Sequence, residues 1–126
     1  MALDSRNRLL VCERGRLTRT EADGKLTILV DSFEGKGLHS PHDVAVRSDR
    51  TVFFTDLKPE KEWANPAKVG FSGVYELRST GEMFLFPREY AGPNGIALSP
   101  DEDRLYVAER VKPNENVTRP DLGCAI

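Results

Sequence analysis

The chain is poor in several things, and each shortage excludes a class of protein. It has two cysteines in 126 residues. Cys12 lies inside the apolar run Leu9-Leu10-Val11-Cys12, and Cys124 sits close to the last residue. Two cysteines so placed make neither a disulfide framework nor a metal-ligand pair, and Cys12 reads as a buried free thiol. No apolar run approaches the ~20 residues of a membrane span, and Met1 to Arg6 lacks the apolar core of a signal peptide. A soluble, cytoplasmic protein is the expectation, under which Asn116-Val117-Thr118 resembles a glycosylation acceptor only by chance. Positive charge is not in excess either. Lys and Arg number 18 against 20 Asp and Glu, a net charge of -2, and no stretch interleaves basic residues with aromatics. Nucleic acid and membrane are therefore not expected as partners.

What is present is strand and turn. The chain is 39% hydrophobic and 30% charged, so a globular domain is expected. At this length it would bury roughly two-thirds of its unfolded surface. Ten glycines and eight prolines argue for many turns and against long helices. Short alternating or apolar runs cover residues 8–13, 15–20, 25–30, 43–47, 51–55, 73–78, 82–86, 95–98 and 104–108, nine strands with no convincing helix. Asp23-Gly24 between two of them is a strong hairpin signal, because glycine accepts the positive φ of a tight turn. The one long loop, Leu57 to Gly70, carries Trp63, which could cover a channel mouth or serve as a local anchor.

The strands repeat. Ser40-Pro41-His42-Asp43-Val44-Ala45-Val46-Arg47-Ser48-Asp49 aligns with Gly92-Pro93-Asn94-Gly95-Ile96-Ala97-Leu98-Ser99-Pro100-Asp101. Each copy leads to an apolar strand ending in an acid, Val52 to Asp56 and Leu105 to Glu109. Asp4-Ser5-Arg6-Asn7 followed by Arg8 to Glu13 is a shorter third copy. Residues 15–30 and 73–86 are each two strands around a tight turn. The unit is four antiparallel strands recurring at about 40–50 residues, the size of a propeller blade. An all-β partial β-propeller of about 2–2.5 four-stranded blades follows, with a sandwich or open meander as the alternative. The chain is expected to open in the second strand of one blade, to supply a whole blade over 42–87, and to end with two strands of a third. Residues 1–110 form this region, and 111–126 read as a divergent tail.

In a propeller the innermost strands line the central channel. Pro41-His42-Asp43 and Pro93-Asn94-Gly95 occupy the lead-in to that strand in consecutive blades, so His42 and Asn94 would converge on one site. An amide oxygen suits a hard cation such as Ca²⁺, and imidazole suits Zn²⁺ or proton transfer. Against this, Asn94 could simply bond its own backbone in a turn. His39 and His42 could be two solvent-facing loop histidines. Phe53, Phe54 and Tyr106 read as packing between blades, and Asp56 and Glu109 as turn acceptors, with Asp56 also a candidate to face a ligand.

Leu38 to Asp49 followed by Val52-Phe53-Phe54-Thr55-Asp56 resembles a signature of the gluconolactonase/regucalcin family, also called the senescence-marker-protein family. Cys12-Glu13, Arg19 to Gly24, Glu34-Gly35-Lys36, Gly73-Val74-Tyr75 and Pro93 to Glu102 are similar to it too, so the resemblance covers about residues 8–110. It implies part of a six-bladed propeller and a metal-dependent lactonase or esterase acting on small lactones or sugar acids. Ca²⁺ is the favoured cation, with Zn²⁺ second. It assigns Asn94 as a metal ligand and gives His42 the substrate-facing place where the family's Pro-Asn-Asp motif has Asn. It identifies no catalytic residue. The family's first-blade Glu and later Asp ligands have no counterpart, since Glu13 lacks the Glu-Gly-Pro context. Ca²⁺ wants 6–8 oxygens, so a lone chain is expected to be incomplete or inactive. The alternative is a non-catalytic propeller fragment serving as a binding or assembly module. An unclosed propeller leaves bare sheet edges, which a homo-oligomer could close. A truncated gene product is the remaining possibility.

Overall fold

The computed structural model describes residues 1–59, 64–87 and 89–110 and a short strand at 124–125. All nine expected strands are there. The first sheet has the order β1 (Ala2–Leu3), β2 (Leu9–Glu13), β3 (Arg16–Thr20), β4 (Leu26–Val30). A small hairpin, β5 (Ser32–Phe33) and β6 (Lys36–Gly37), connects it to the second sheet. That sheet runs β7 (Pro41–Val46), β8 (Val52–Asp56), β9 (Gly73–Leu77), β10 (Met83–Leu85). The third consists of β11 (Pro93–Leu98), β12 (Arg104–Glu109) and β13 (Cys124–Ala125). Neighbouring strands pair antiparallel throughout the three sheets. This is the all-β partial propeller.

Three features depart from the expected layout. The first sheet does not begin at its second strand, because Ala2 and Leu3 pair with Leu10 and Leu9. The hairpin around Glu34-Gly35 is additional, its turn made by positive φ values of 49° and 79°. Within the expected tail, Cys124 and Ala125 pair with Leu105 and Arg104, and the remainder of 111–126 lies outside the described residues.

The turn joining the two inner strands repeats in all three sheets. Asn7, Arg50 and Glu102 take the left-handed conformation, with φ of 57°, 71° and 60°. Each donates its N–H to the carbonyl three residues back, on Asp4, Arg47 and Ser99. The Asp23-Gly24 hairpin is closed by the Gly24 N–H on the Glu21 carbonyl, with Gly24 at φ 85°.

Apolar residues are buried between sheets. Leu10 and Leu17 of the first sheet meet Val44, Val52, Phe54, Tyr75 and Leu77 of the second. Phe53 and Val74 emerge on the opposite face and pack with Ile96, Leu105 and Val107 of the third. Successive side chains alternate across a strand, which is why Phe53 and Phe54 serve different interfaces. Every residue of β8 is buried. Tyr106, by contrast, is 40% exposed and joins neither core, so the expectation of inter-blade packing fails for it among the described residues. Its neighbours Leu105 and Val107 take the buried face, and alternation turns Tyr106 outward.

Candidate functional site

Pro41 and Pro93 are the first residues of β7 and β11, so the two Pro-containing triplets lie within strands and not in loops ahead of them. Both strands carry the same irregularity. Pro41 pairs with Asp56 and Val44 with Phe54, three steps on β7 against two on β8. Pro93 pairs with Glu109 and Ile96 with Val107 in the same way. One extra residue in a strand is a β-bulge, which bends the strand and redirects a side chain. His42 and Asn94 are thus bulge residues at matching positions of adjacent inner strands. The β7 strand lies between β2 and β11.

The two bulges are tied together by polar contacts. Asp43 accepts the Val44 N–H on Oδ1 at 2.9 Å and the Ile96 N–H of β11 on Oδ2 at 2.9 Å. The Thr55 hydroxyl accepts the Asp43 N–H at 3.1 Å and donates to the Asn94 carbonyl at 2.7 Å. Asn94 is therefore held through its backbone, and its carboxamide is half-buried. The His42 side chain is exposed. Neither side chain has a hydrogen-bond partner among the described residues, which keeps the imidazole and the amide oxygen open to a ligand.

Behind the bulges sits Asp56, fully buried at the end of β8. It accepts the His39 N–H at 3.0 Å on Oδ2 and the Ser40 N–H at 2.7 Å on Oδ1. Burial pushes its carboxyl above the usual carboxylate range, with the two N–H groups and the charges of His39 and Lys68 acting the other way. Glu109 ends β12 equivalently and accepts the Ala91 N–H at 3.0 Å. Both acids are turn acceptors, as their place in the repeat suggested. Glu13, ending β2, instead binds Arg16 Nε at 2.7 Å and the Thr18 hydroxyl at 3.0 Å. The Arg16 hydrogen bond leads in holding its carboxyl below the ordinary value.

His39 is not a solvent-facing loop residue. It is 4% exposed, and its Nε2–H donates to the Val69 carbonyl. Only His42 fits the solvent-facing description. Cys12 is half-buried, and burial pushes its thiol up to about 11, in keeping with an inert free thiol. Trp63 lies outside the described residues.

Among the described residues no three His, Cys, Asp or Glu side chains gather as a cation site. Asn94 and His42 supply two neutral donors at most, while Asp43 and Asp56 are engaged with backbone N–H groups. This set fits a share of a cation's shell and not the whole of one. Sequence reasoning missed Asp43 and Thr55 as the groups that fix the Asn94 backbone. The available signal was the alignment itself, in which an acid in one copy stands where the next copy has Gly95.

Set beside known proteins, the chain matches a family model described as the SMP-30/gluconolactonase/LRE-like region over residues 1–119. It is 33% identical over 93 residues to a gluconolactonase of Zymomonas mobilis, covering 70% of this chain and 26% of that protein. The solved structure of a gluconolactonase from Xanthomonas campestris superposes with a TM-score of 0.72 at 35% identity, covering 86% of this chain and 38% of that one. The tricorn protease superposes with a TM-score of 0.60 at 15% identity over 84% of this chain and 10% of the other, a likeness of fold alone. The chain thus spans well under half the length of the gluconolactonases it matches. No helix among the described residues is long and apolar enough to cross a membrane.

Proposed function

The chain belongs to the SMP-30/gluconolactonase/LRE-like family, and from that premise we propose that it contributes to the hydrolysis of small lactones or related sugar-acid esters in the cytoplasm. The observation that carries this reading is the pair of matching bulges that present His42 and Asn94 at the same end of adjacent inner strands. Asn94 would give one oxygen to a divalent cation, Ca²⁺ before Zn²⁺, and His42 would hydrogen-bond the lactone. When bound, such a cation polarises the ester carbonyl and lowers the pKa of the attacking water. Thr55 holds the Asn94 carbonyl and Asp43 the Ile96 N–H, so the backbone that carries the Asn94 carboxamide is fixed before any ligand arrives. His42 can donate from one ring nitrogen and accept at the other when neutral, which suits the ring and carbonyl oxygens of a lactone.

The remaining cation ligands would come from outside the described residues. A chain of this span is proposed to turn over little or no lactone alone. Residues 1–110 would form most of the propeller region, with β13 from within 111–126 added to its third sheet. A second reading, favoured by the absence of a three-ligand cluster among the described residues, is a non-catalytic binding or assembly module whose copies complete a ring.

Native mass spectrometry with and without Ca²⁺, run beside a lactone-hydrolysis assay, separates the two. A cation taken up by the wild type, with affinity weakened about 10–100-fold in Asn94→Ala, supports the hydrolase reading. A folded protein that takes up neither Ca²⁺ nor Zn²⁺ in any assembly, and hydrolyses no lactone, overturns it in favour of the module.

A further inference from the structure

The three sheets repeat one cross-strand pair on the face turned toward the following sheet. Ala2 pairs with Leu10, Ala45 with Phe53 and Ala97 with Tyr106. In the first sheet the pair is covered by the second, with Leu10 buried and Ala2 packed beside it. In the second sheet it is covered by the third, with Phe53 buried and Ala45 beside it. In the third sheet the same pair is exposed at both residues.

The opposite faces repeat too. Leu3 pairs with Leu9, Val46 with Val52 and Leu98 with Leu105. Val46 and Val52 pack toward the first sheet, and Leu98 and Leu105 toward the second. The first pair has no such cover: Leu3 is 59% exposed and Leu9 half-buried. The same face continues outward through Thr20, which pairs with Leu9 and Leu26, and through Ile28, which pairs with Thr18. Leu26 and Ile28 are 54% and 50% exposed. Met83 and Leu85 hold their register on β10, and there both pack into the core between the first two sheets.

The chain thus exposes two apolar sheet faces of opposite kind. One receives a following sheet, and the other is the face a sheet presents to the one before it. Contiguous exposed apolar surface marks a site of association. Each internal joint is built from one face of each kind, so each exposed face is the partner the other fits. We propose that a second copy of this chain docks the outer face of its first sheet on the outer face of the third sheet, head to tail. The proposal rests on the assembly reading above and names the surfaces that copies would share. A head-to-tail contact closes into a ring or extends as an array. Two polar ties of the internal joint have no equivalent here. Gly95 stands where Asp43 accepts the Ile96 N–H, and Pro100 stands where Ser48 donates to Glu102. The contact between copies is therefore apolar and weaker than the internal ones.

Sedimentation equilibrium of the full chain, without divalent cations or lactone and at up to about 1 mM, tests this contact. The wild type should associate reversibly as concentration rises. Leu26→Asp/Ile28→Asp and Tyr106→Asp should each weaken that self-association by about tenfold or more, because each buries a charge in one of the two faces. Leu26→Thr/Ile28→Thr, which suits a strand, should also weaken it, and far-UV dichroism checks that every variant is folded. Mixing the two aspartate variants is the deciding step. Each keeps the face the other has lost, so the mixture should form a one-to-one pair that grows no further. A single-chain mass for the wild type at every concentration overturns the proposal. So does a mixture that stays monomeric, or a Tyr106→Asp variant that associates as the parent does. Assembly that persists in both variants keeps the module reading and overturns only this contact, and cation uptake and turnover are measured apart from it.

Discussion

The Asp56 carboxylate closes the lead-in to β7 by accepting the N–H groups of His39 and Ser40 from a fully buried position. Removing the acceptor strands a buried donor on His39 and a part-buried one on Ser40, a fully buried one costing about 1–3 kcal/mol. Asp56→Ala is therefore expected to lower unfolding stability by about 2–4 kcal/mol in urea titration. Charge has its own consequence. Burial raises the Asp56 carboxyl above its ordinary value of 3.8, so the ionised form is disfavoured in the folded state. The stability it contributes is fully present below that ordinary value and is lost as pH rises through the raised folded value. Asp56→Asn keeps one acceptor oxygen without the charge, and it should flatten this fall when unfolding is followed across about pH 4 to 7. An acid closing an apolar strand was legible in the sequence, and so was its role as a turn acceptor. The burial of His39 was not, because it depends on Val69, thirty residues away in the chain.

At the scale of elements, the nine longer strands follow from alternation and turn chemistry, whereas β1, β5, β6 and β13, of two residues each, are too short for a period to register. The bulges were hidden for another reason. Pro41-His42-Asp43 could be seen as a repeated motif, but a bulge is a mismatch between two strands and exists only once their register is known. Packing inside the second sheet supplies a prediction. Tyr75 stacks on Phe54 with ring centroids 5.2 Å apart and meets the edge of Phe33 at 5.1 Å. A Cβ on Gly73 would lie 3.0 Å from both the Tyr75 ring and Leu85 Cδ1. Gly73→Ala should therefore displace an aromatic fixed on two sides and cost about 1–3 kcal/mol. A midpoint equal to wild type in urea, with unchanged near-UV dichroism of Tyr75, would contradict that account.

Across the whole molecule, the second and third sheets are joined at both ends. The Asp43 and Thr55 contacts act at the bulges, and Glu102 accepts the Ser48 N–H at 3.0 Å and its hydroxyl at 2.6 Å at the inner turns. Asp43→Ala removes the acceptor for the Ile96 amide, and hydrogen exchange at Ile96 should accelerate about tenfold while Leu10 and Leu17 in the first sheet hold their protection. The blade repeat was legible from residues 40–56 and 92–109, because each copy preserves its proline, its apolar strand and its terminal acid. The cavity beside the β5–β6 hairpin was not, since its described lining comes from β6 and from the segment after β8, and only the fold assembles it. One consequence follows from the cores lying between sheets and not inside them. Each sheet is stable only as far as its neighbours cover it, as in an array with nearest-neighbour coupling. The middle sheet, shared by both couplings, is then the keystone, and a sheet can be gained or lost at either flank without rewriting the residues of the others.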